Sequence, residues 1–464
     1  MNIKLIFPPS TSQNHTANPI LSLGALKAYL DKKNINTDIV DLEILVKYKG
    51  IDLKIFNDKK VVFRYLLKNI ENMQLNFCLS RIMGLTSLNN FDMVGFSIMG
   101  IRQFLISLCL AKKIKKQFKS KIILGGFYPQ SNAANILKIF NFVDYIVEKE
   151  GEIAIEFLVK KMEEKNIPFL YYRQDNKIKK SNKEKYVDID NLPLPNFDGL
   201  PLYIYKKYLT YLELPYELSR GCIANCIFCS FPKYGALRVK RIKKIINDLK
   251  ILKNKYSSRK FIFYNSEINM TKEWSKAFLG ELIRSKLNIE WVGYLIPKID
   301  ESIAQLLQAS GCQEVKVGIE SGDNEILTRM GKYHRVKDAE GTIRLLDKYK
   351  INAHYYFITG YPYETEKQYL NTINFIKKNR KRIKKARINS FELEYNTKIF
   401  NATYRYGISR RPFKQNVLVP TERLPFDEIT GLRWEEKTKQ QIQRKKLFEL
   451  VFTKLNIKNP PAFC

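Results

Sequence analysis

Histidine is scarce in this chain: His15, His334 and His354 are the only three among 464 residues, and they are scattered. A closed zinc site wants four ligands at short spacing, so this scarcity argues against one. No GxGxxG or GxxxxGK[ST] run is present, which disfavours a nicotinamide or nucleoside-triphosphate site. No apolar stretch approaches the ~20 residues of a bilayer-spanning helix. The start carries no charged, apolar and small-residue pattern of a secretory signal. Four of the seven cysteines, Cys78, Cys109, Cys312 and Cys464, stand isolated. Together these absences predict a protein of the reducing cytoplasm, without disulfides or a transmembrane segment.

Acidic residues are also outnumbered, 46 against 80 lysines and arginines, for a formal charge of +34. Such a surface attracts nucleic acid or anionic lipid at long range. The basic residues neither collect in one tail nor interleave with aromatics, however, so a dedicated nucleic-acid module is disfavoured. With 45% hydrophobic residues over this length, the chain can bury two substantial cores.

What is present is a triplet, Cys222, Cys226 and Cys229, spaced CxxxCxxC directly after an apolar segment at 216–219 that reads as a strand. A [4Fe-4S] cube is usually held by four thiolates, so three leave one iron open. This pattern resembles the radical S-adenosylmethionine superfamily. The resemblance implies that the amino and carboxylate groups of the cofactor's methionine chelate the open iron. It also places the ring of Phe228 beside the adenine.

The first part of the chain alternates strands, at 3–6, 37–41, 93–97, 121–124 and 144–147, with helices at 21–30 and about 152–161. That alternation predicts a Rossmann-like parallel sheet covered on both faces, with ligands at the carboxyl ends of its strands. The polar or glycine-rich strand ends there are Asp41, Ser97, Gly125, Gly126 and the turn Glu150, Gly151, Glu152. Their order and spacing resemble the cobalamin-binding domain of the B12-dependent radical S-adenosylmethionine class. Lys149 stands where that family's GEGE turn has its first glycine. There is no DxHxxG motif, so no histidine is expected to ligate cobalt from below. The domain is expected at 1–165, with an insertion at 43–90 of no readable role. A proline-containing linker follows at 166–212.

Strand and helix alternation restarts near residue 213 and predicts a partial (β/α)6 TIM-like barrel to 395, in an α/β chain. Strands are expected at 261–264, 290–295, 314–319, 352–358 and 389–393, with active residues at their carboxyl ends. Gly318-Ile-Glu-Ser-Gly322 resembles the family's GxESG segment, which implies that Gly318, Glu320 and Ser321 contact the cofactor. Gly360 lies in a segment similar to GxPxET, which closes on the adenine side. Asn265 and Glu267 are candidates for methionine or substrate contact, and Lys332 reads equally as a surface charge. The extension 396–464 contains a highly charged helix from Arg433, expected as a solvated cover.

The resemblance implies a radical enzyme using a [4Fe-4S] cluster, S-adenosylmethionine and cobalamin to methylate carbon in an unknown substrate. It further implies an external electron donor such as flavodoxin or ferredoxin. The alternatives are cobalamin-dependent cyclisation or rearrangement, a tRNA methylthiotransferase, and a non-catalytic cobalamin or cluster sensor. The methylthiotransferase family carries three further cysteines in its first domain, a set that Cys78 and Cys109 do not make.

Overall fold

The structure, a computed structural model, describes residues 1–11, 18–209, 211–224, 226–230, 235–411 and 424–460. His15 and Cys464 lie outside the described residues. The chain divides into two compact units, with the boundary between Pro215 and Tyr216. No helix among the described residues is long and apolar enough to cross a membrane.

The first unit is built on a seven-stranded sheet. Its strands are β1 (Asn2–Phe7), β2 (Asn36–Asp41), β3 (Met93–Ser97), β4 (Lys121–Gly125), β5 (Tyr145–Val147), β6 (Leu170–Gln174) and β7 (Lys177–Lys180), in the order β2-β1-β3-β4-β5-β6-β7. The first five run parallel, and β6 and β7 add antiparallel. Parallel strands covered on both faces need continuous apolar runs, and Ile3, Leu5, Ile6, Val94, Phe96, Ile122, Ile123 and Leu124 are all buried. The intervening helices are α1 (Leu21–Lys32), α2 (Leu42–Tyr48), α3 (Lys59–Lys68), α4 (Met73–Met83), α5 (Ile101–Gln117), α6 (Ala133–Ile139) and α7 (Glu152–Val159).

The insertion at 43–90 therefore folds as helices, with Val62, Leu66, Leu75, Leu79 and Ile82 packed into the same core as α5. The expected linker at 166–212 is a correction. Its first half is the β6–β7 hairpin, turned by Asp175 and Asn176, both at positive φ (51° and 57°) as a two-residue hairpin turn requires. Its second half contains α8 (Leu202–Leu209).

The second unit carries a six-stranded sheet of β8 (Glu213–Glu217), β11 (Lys260–Tyr264), β12 (Glu290–Leu295), β13 (Cys312–Glu320), β14 (Asn352–Thr359) and β15 (Lys385–Ser390), adjacent in chain order. A short antiparallel ribbon of β9 (Ser219–Arg220) and β10 (Arg238–Val239) follows β8. Helices α9 (Ile242–Tyr256), α10 (Lys272–Arg284), α11 (Glu301–Ala309), α12 (Asn324–Arg329), α13 (Val336–Lys348) and α14 (Glu366–Lys378) fill the connections. The α/β fold, with strands β1–β5 parallel in the first unit and β11–β15 parallel in the second, is thus as the alternation predicts.

The sixth strand departs from expectation, lying at 385–390 rather than 389–393. Phe391 and Leu393 are indeed buried, but in an apolar cluster with residues of the tail, whereas the ladder pairs His354 with Lys385 through Thr359 with Ser390. The tail adds α15 (Lys398–Asn401), a ribbon of β16 (Ile408–Arg410) and β17 (Phe426–Glu428), and α16 (Trp434–Lys454).

Asp41, at the end of β2, is 2% exposed. Its Oδ1 caps α2 by accepting the Glu43 and Ile44 amides at 2.9 and 3.1 Å, and its Oδ2 accepts the Tyr205 hydroxyl at 2.7 Å. Burial, with a smaller contribution from Glu43, lifts its carboxyl to about 7 against the opposing pull of these hydrogen bonds. A carboxyl raised on folding binds its proton more tightly in the native state, so its stabilisation is complete below the unfolded value near 4 and is lost as pH rises through 7. Thermal unfolding of Asp41→Asn, which keeps an acceptor for the cap, is therefore expected to lose the part of the stability decline between pH 4 and pH 7 that Asp41 supplies in the parent. Parallel pH profiles for parent and variant would contradict this.

Candidate functional site

Among its described residues the cysteine loop has almost no regular structure, and its shape is set from outside. The β9–β10 ribbon closes its base, where Gly221 (φ +85°) leaves no room for a Cβ, which would sit 2.8 Å from the Ala236 carbonyl oxygen. The Gly221 carbonyl accepts the Ser266 hydroxyl at 3.0 Å, and the Ile223 carbonyl accepts the Tyr333 hydroxyl at 2.8 Å. The Ile227 amide donates to the Met330 carbonyl at 3.1 Å, and the Ile227 carbonyl accepts the Ile399 amide at 3.0 Å.

Cys226 is buried, while Cys222 and Cys229 are partly exposed. The Cys222 thiol lies 3.4 Å from Oε2 of Glu267 and accepts the Ala224 amide at 3.2 Å. Burial first, and then the Glu267 charge, push the Cys222 thiol up to about 12. Burial also raises the Glu267 carboxyl and the Cys226 thiol. Among the described residues, no group of three or more histidine, cysteine or acidic side chains is placed to hold a metal ion. The loop is therefore read from its donor chemistry and its neighbours.

Asn265 is one such neighbour. It follows β11 beside Ser266 and Glu267, is 6% exposed, and neither its Oδ1 nor its Nδ2 has a partner among the described residues. An orphaned buried amide costs about 1–3 kcal/mol, which a bound polar group would recover.

On the other side stands Lys332, whose Nζ is 2.8 Å from Oε1 of Glu320 and 5.5 Å from the centre of the Phe228 ring. Burial alone would lower this ammonium, but the Glu320 carboxylate, and then Cys226 and Cys229, outweigh it and hold it above its usual range. Glu320 reaches this position through a break in the ladder, because Gly318 pairs with Tyr356 and Glu320 with the next residue, Phe357, leaving Ile319 over. Such a bulge re-aims a side chain, and Glu320 takes φ +66°. Gly318 provides the space, since a Cβ there would meet the Glu320 carboxylate at 2.6 Å. Lys332 is thus no solvated surface charge.

Ser321, grouped with Glu320 by its motif, is fully buried. Its hydroxyl lies 3.2 Å from that of Thr372 and accepts the Asp323 amide at 3.1 Å, so it is engaged in holding the turn into α12.

Gly360 begins a turn whose polar groups are met from the tail. Gln441 donates to the carbonyls of Gly360 (3.3 Å) and Phe391 (3.2 Å), and Lys437 to that of Tyr361 at 3.1 Å. Glu428 accepts the Tyr363 amide at 2.7 Å, and Arg444 pairs with Glu364 at 2.7 Å. Lys437, Gln441 and Arg444 are each at most 4% exposed. α16 keeps an exposed outer face, and the expectation of a solvated cover is corrected at one stripe, whose polar residues at helical spacing face inward and satisfy a loop. That i, i+4, i+7 spacing, continued by Phe448, Val451 and Phe452, is the signal of an inward face. Phe228 shares an apolar cluster with Met330, Tyr361 and Ile399, which joins this turn to the cysteine loop.

In the first unit, Ser97, Gly125 and Gly126 come together at the ends of β3 and β4. Ser97 Oγ is 3.1 Å from Ser22 Oγ, and Gly126 (φ +95°) crosses so close to Ile98 that a Cβ would lie 2.5 Å from its carbonyl oxygen. Glu150, Gly151 and Glu152 follow β5, with Glu150 accepting the Val187 amide at 3.1 Å. Lys149 keeps a glycine-like φ of +62°. Its ammonium lies 4.9 and 5.3 Å from the Phe169 and Tyr186 ring centres and donates to the Tyr186 hydroxyl at 2.9 Å.

Residues 216–376 match the Radical SAM superfamily. An uncharacterized methyltransferase of Pyrococcus horikoshii is 27% identical over 279 residues, 57% of this chain and 60% of the relative. The chain thus spans less than two thirds of that curated relative. Among solved structures, the radical S-adenosylmethionine methyltransferase TsrM of Kitasatospora setae, with cobalamin and a [4Fe-4S] cluster bound, superposes at TM-score 0.67 and 14% identity, over 94% of this chain and 84% of its own. The cobalamin-dependent S-adenosylmethionine radical enzyme OxsB, with aqua-cobalamin and S-adenosylmethionine bound, superposes at TM-score 0.61 and 17% identity, over 81% and 51%. At such identities the likeness is one of fold.

The Gly360 turn yields a stability test. Its φ of +74° and a Cβ contact of 2.5 Å with Gln441 make Gly360→Ala costly, with ~1–2 kcal/mol from the left-handed backbone alone. Adding Gln441→Ala relieves the contact but not the backbone term. Denaturant unfolding is expected to find the double variant more stable than the summed single losses; strict additivity would place the two residues out of contact.

Proposed function

We propose that the protein is a radical S-adenosylmethionine enzyme that methylates carbon in a cobalamin-dependent reaction. What supports the reading is Cys222 against Glu267, two residues from the unpartnered Asn265, together with the Glu320–Lys332 pair close to Cys226 and Cys229. When bound, a [4Fe-4S] cluster on Cys222, Cys226 and Cys229 supplies the electron that cleaves S-adenosylmethionine, and cobalamin supplies methyl transfer. The remaining steps fall to this chain's own side chains.

Loading the loop converts Cys222 to a thiolate 3.4 Å from the Glu267 carboxyl. In the loaded loop the Cys222 charge would pass to iron, and Glu267 would accept a hydrogen bond from the iron-bound α-amino group of S-adenosylmethionine, with Asn265 offering both a donor and an acceptor. Lys332 places its ammonium beside Cys226 and Cys229 and offsets thiolate charge there. Glu320 keeps that ammonium protonated and oriented. Phe228, packed beside the turn that begins at Gly360, is the proposed neighbour of an adenine. In the first unit, the carboxyl edge at Ser97, Gly125, Gly126 and Glu150 to Glu152 is the proposed cobalamin-facing edge, and Gly125 has nothing closer than 4.0 Å to a Cβ. An external flavodoxin or ferredoxin is the proposed electron donor.

Anaerobic reconstitution with iron, sulfide and hydroxocobalamin, followed by reduction with methyl-deuterated S-adenosylmethionine, tests the reading. Formation of 5′-deoxyadenosine by the parent and its loss in Cys226→Ala, together with the iron-sulfur absorbance, are expected. A parent that makes none contradicts radical chemistry, and a cluster-loaded parent that retains no cobalamin contradicts methyl transfer. Asn265→Ala is expected to keep the cluster and to weaken S-adenosylmethionine binding by about tenfold, the equivalent of one to two hydrogen bonds. Unchanged binding would remove Asn265 from the site.

A further inference from the structure

The helical hairpin of α3 and α4 carries three large apolar side chains that the fold leaves in solvent: Ile70 at 48%, Met73 at 87% and Phe77 at 65% exposure. Single exposed apolar residues are ordinary, but three within eight positions at one hairpin tip form a patch. The patch does not belong to a frayed end. Asn69 turns the chain at φ +56°, and the buried Lys112 of α5 closes that turn by donating to the Tyr65 carbonyl at 2.5 Å, the Leu66 carbonyl at 3.0 Å and Asn69 Oδ1 at 2.6 Å. Asn72 caps α4 by accepting the Leu75 amide at 2.9 Å. Lys113 ties α4 to α5 through the Asn76 carbonyl at 3.2 Å and Ser80 Oγ at 2.8 Å. The tip is therefore held open by a row of lysines on α5.

Those lysines also charge its surroundings. Arg64 and Lys68 lie on α3, Arg81 on α4 and Lys113 and Lys116 on α5, with the Arg81 guanidinium 6.0 Å from the Phe77 ring centre. The acid among them, Glu71, is taken by Lys116 at 2.7 Å and Asn76 at 2.5 Å. Beside it lies a recess of about 320 Å³, lined by Tyr65, Glu71, Asn76, Lys113, Lys116 and Gln117. An apolar tip on cation-bearing helices, next to a basic recess of headgroup size, matches the interface of a negatively charged bilayer, in which apolar side chains enter the acyl boundary and basic ones stay with the phosphates.

We propose that the α3–α4 tip is a peripheral docking site for anionic lipid membranes, with Ile70, Met73 and Phe77 inserted and Lys113 and Lys116 on the headgroups. The site belongs to the first unit and does not depend on the proposed chemistry.

The test is vesicle co-sedimentation at physiological ionic strength, with phosphatidylcholine alone and with one third phosphatidylglycerol. The charge of +34 invites diffuse adhesion, so the informative variant is Met73→Gln with Phe77→Gln, which leaves every charge in place. The parent is expected to bind the mixed vesicles, and the double variant to lose at least ~10-fold in partitioning, because each side chain forfeits its apolar transfer. A separate Phe77→Trp variant guards against a folding defect, since its indole emission is expected to shift blue on binding and to be quenched by brominated acyl chains. No binding by the parent, equal binding by the double variant, or an indole in the Phe77→Trp variant that stays in water would each overturn the proposal; equal binding would assign adhesion to net charge alone.

Discussion

Three thiols on a stretch of chain with almost no ladder of its own must be held in one arrangement, and the second unit is organised around that constraint. Four hydrogen bonds that fix the described part of the loop come from three separate segments: Ser266 after β11, Met330 and Tyr333 after α12, and Ile399 in α15. Backbone groups left unpaired in such a loop would cost about as much as lost hydrogen bonds. The neighbouring elements therefore supply partners as well as position. Because the sheet sets where those elements end, the loop inherits its geometry from the order β8-β11-β12-β13-β14-β15.

The same economy of partners extends to charge. Lys332 and Glu320 are largely screened from solvent together, and the bulge at Ile319 and the space at Gly318 let them meet. Lys437 with Glu428, and Arg444 with Glu364, form a second buried set on the far side of the Gly360 turn. A buried ion pair seldom stabilises more than an apolar replacement would, but removing one partner strands the other. These pairs therefore act as locks on the geometry of two loops. The tail from β17 through α16, which lies beyond the matched residues 216–376, is in this sense part of the same construction.

Much of the fold is legible because both sheets are written in short apolar runs at regular intervals. The strands at 93–97 and 290–295 fall where the pattern places them. The sixth strand shows the limit: Lys385 to Ser390 alternates weakly at a sheet edge, while the stronger apolar signal of Phe391 and Leu393 serves the tail's core. The β6–β7 hairpin is hidden because Pro193 and Pro195 downstream give the whole stretch a linker's composition, which outweighs the Asp175-Asn176 turn. At the site, Cys222, Cys226, Cys229 and Glu320 announce themselves by spacing. Lys332 and the Lys437, Gln441, Arg444 stripe do not, since a charged residue on a helix or after one reads as solvated until tertiary contact buries it.

The central claim is that the three-cysteine loop leaves one iron of a cube open to S-adenosylmethionine. Electron paramagnetic resonance of the reduced, reconstituted protein, before and after adding S-adenosylmethionine labelled with nitrogen-15 at its amino group, measures this directly. The account predicts a changed cluster spectrum and a hyperfine coupling to the labelled nitrogen. A reduced cluster whose spectrum is indifferent to S-adenosylmethionine, with no such coupling, would contradict it.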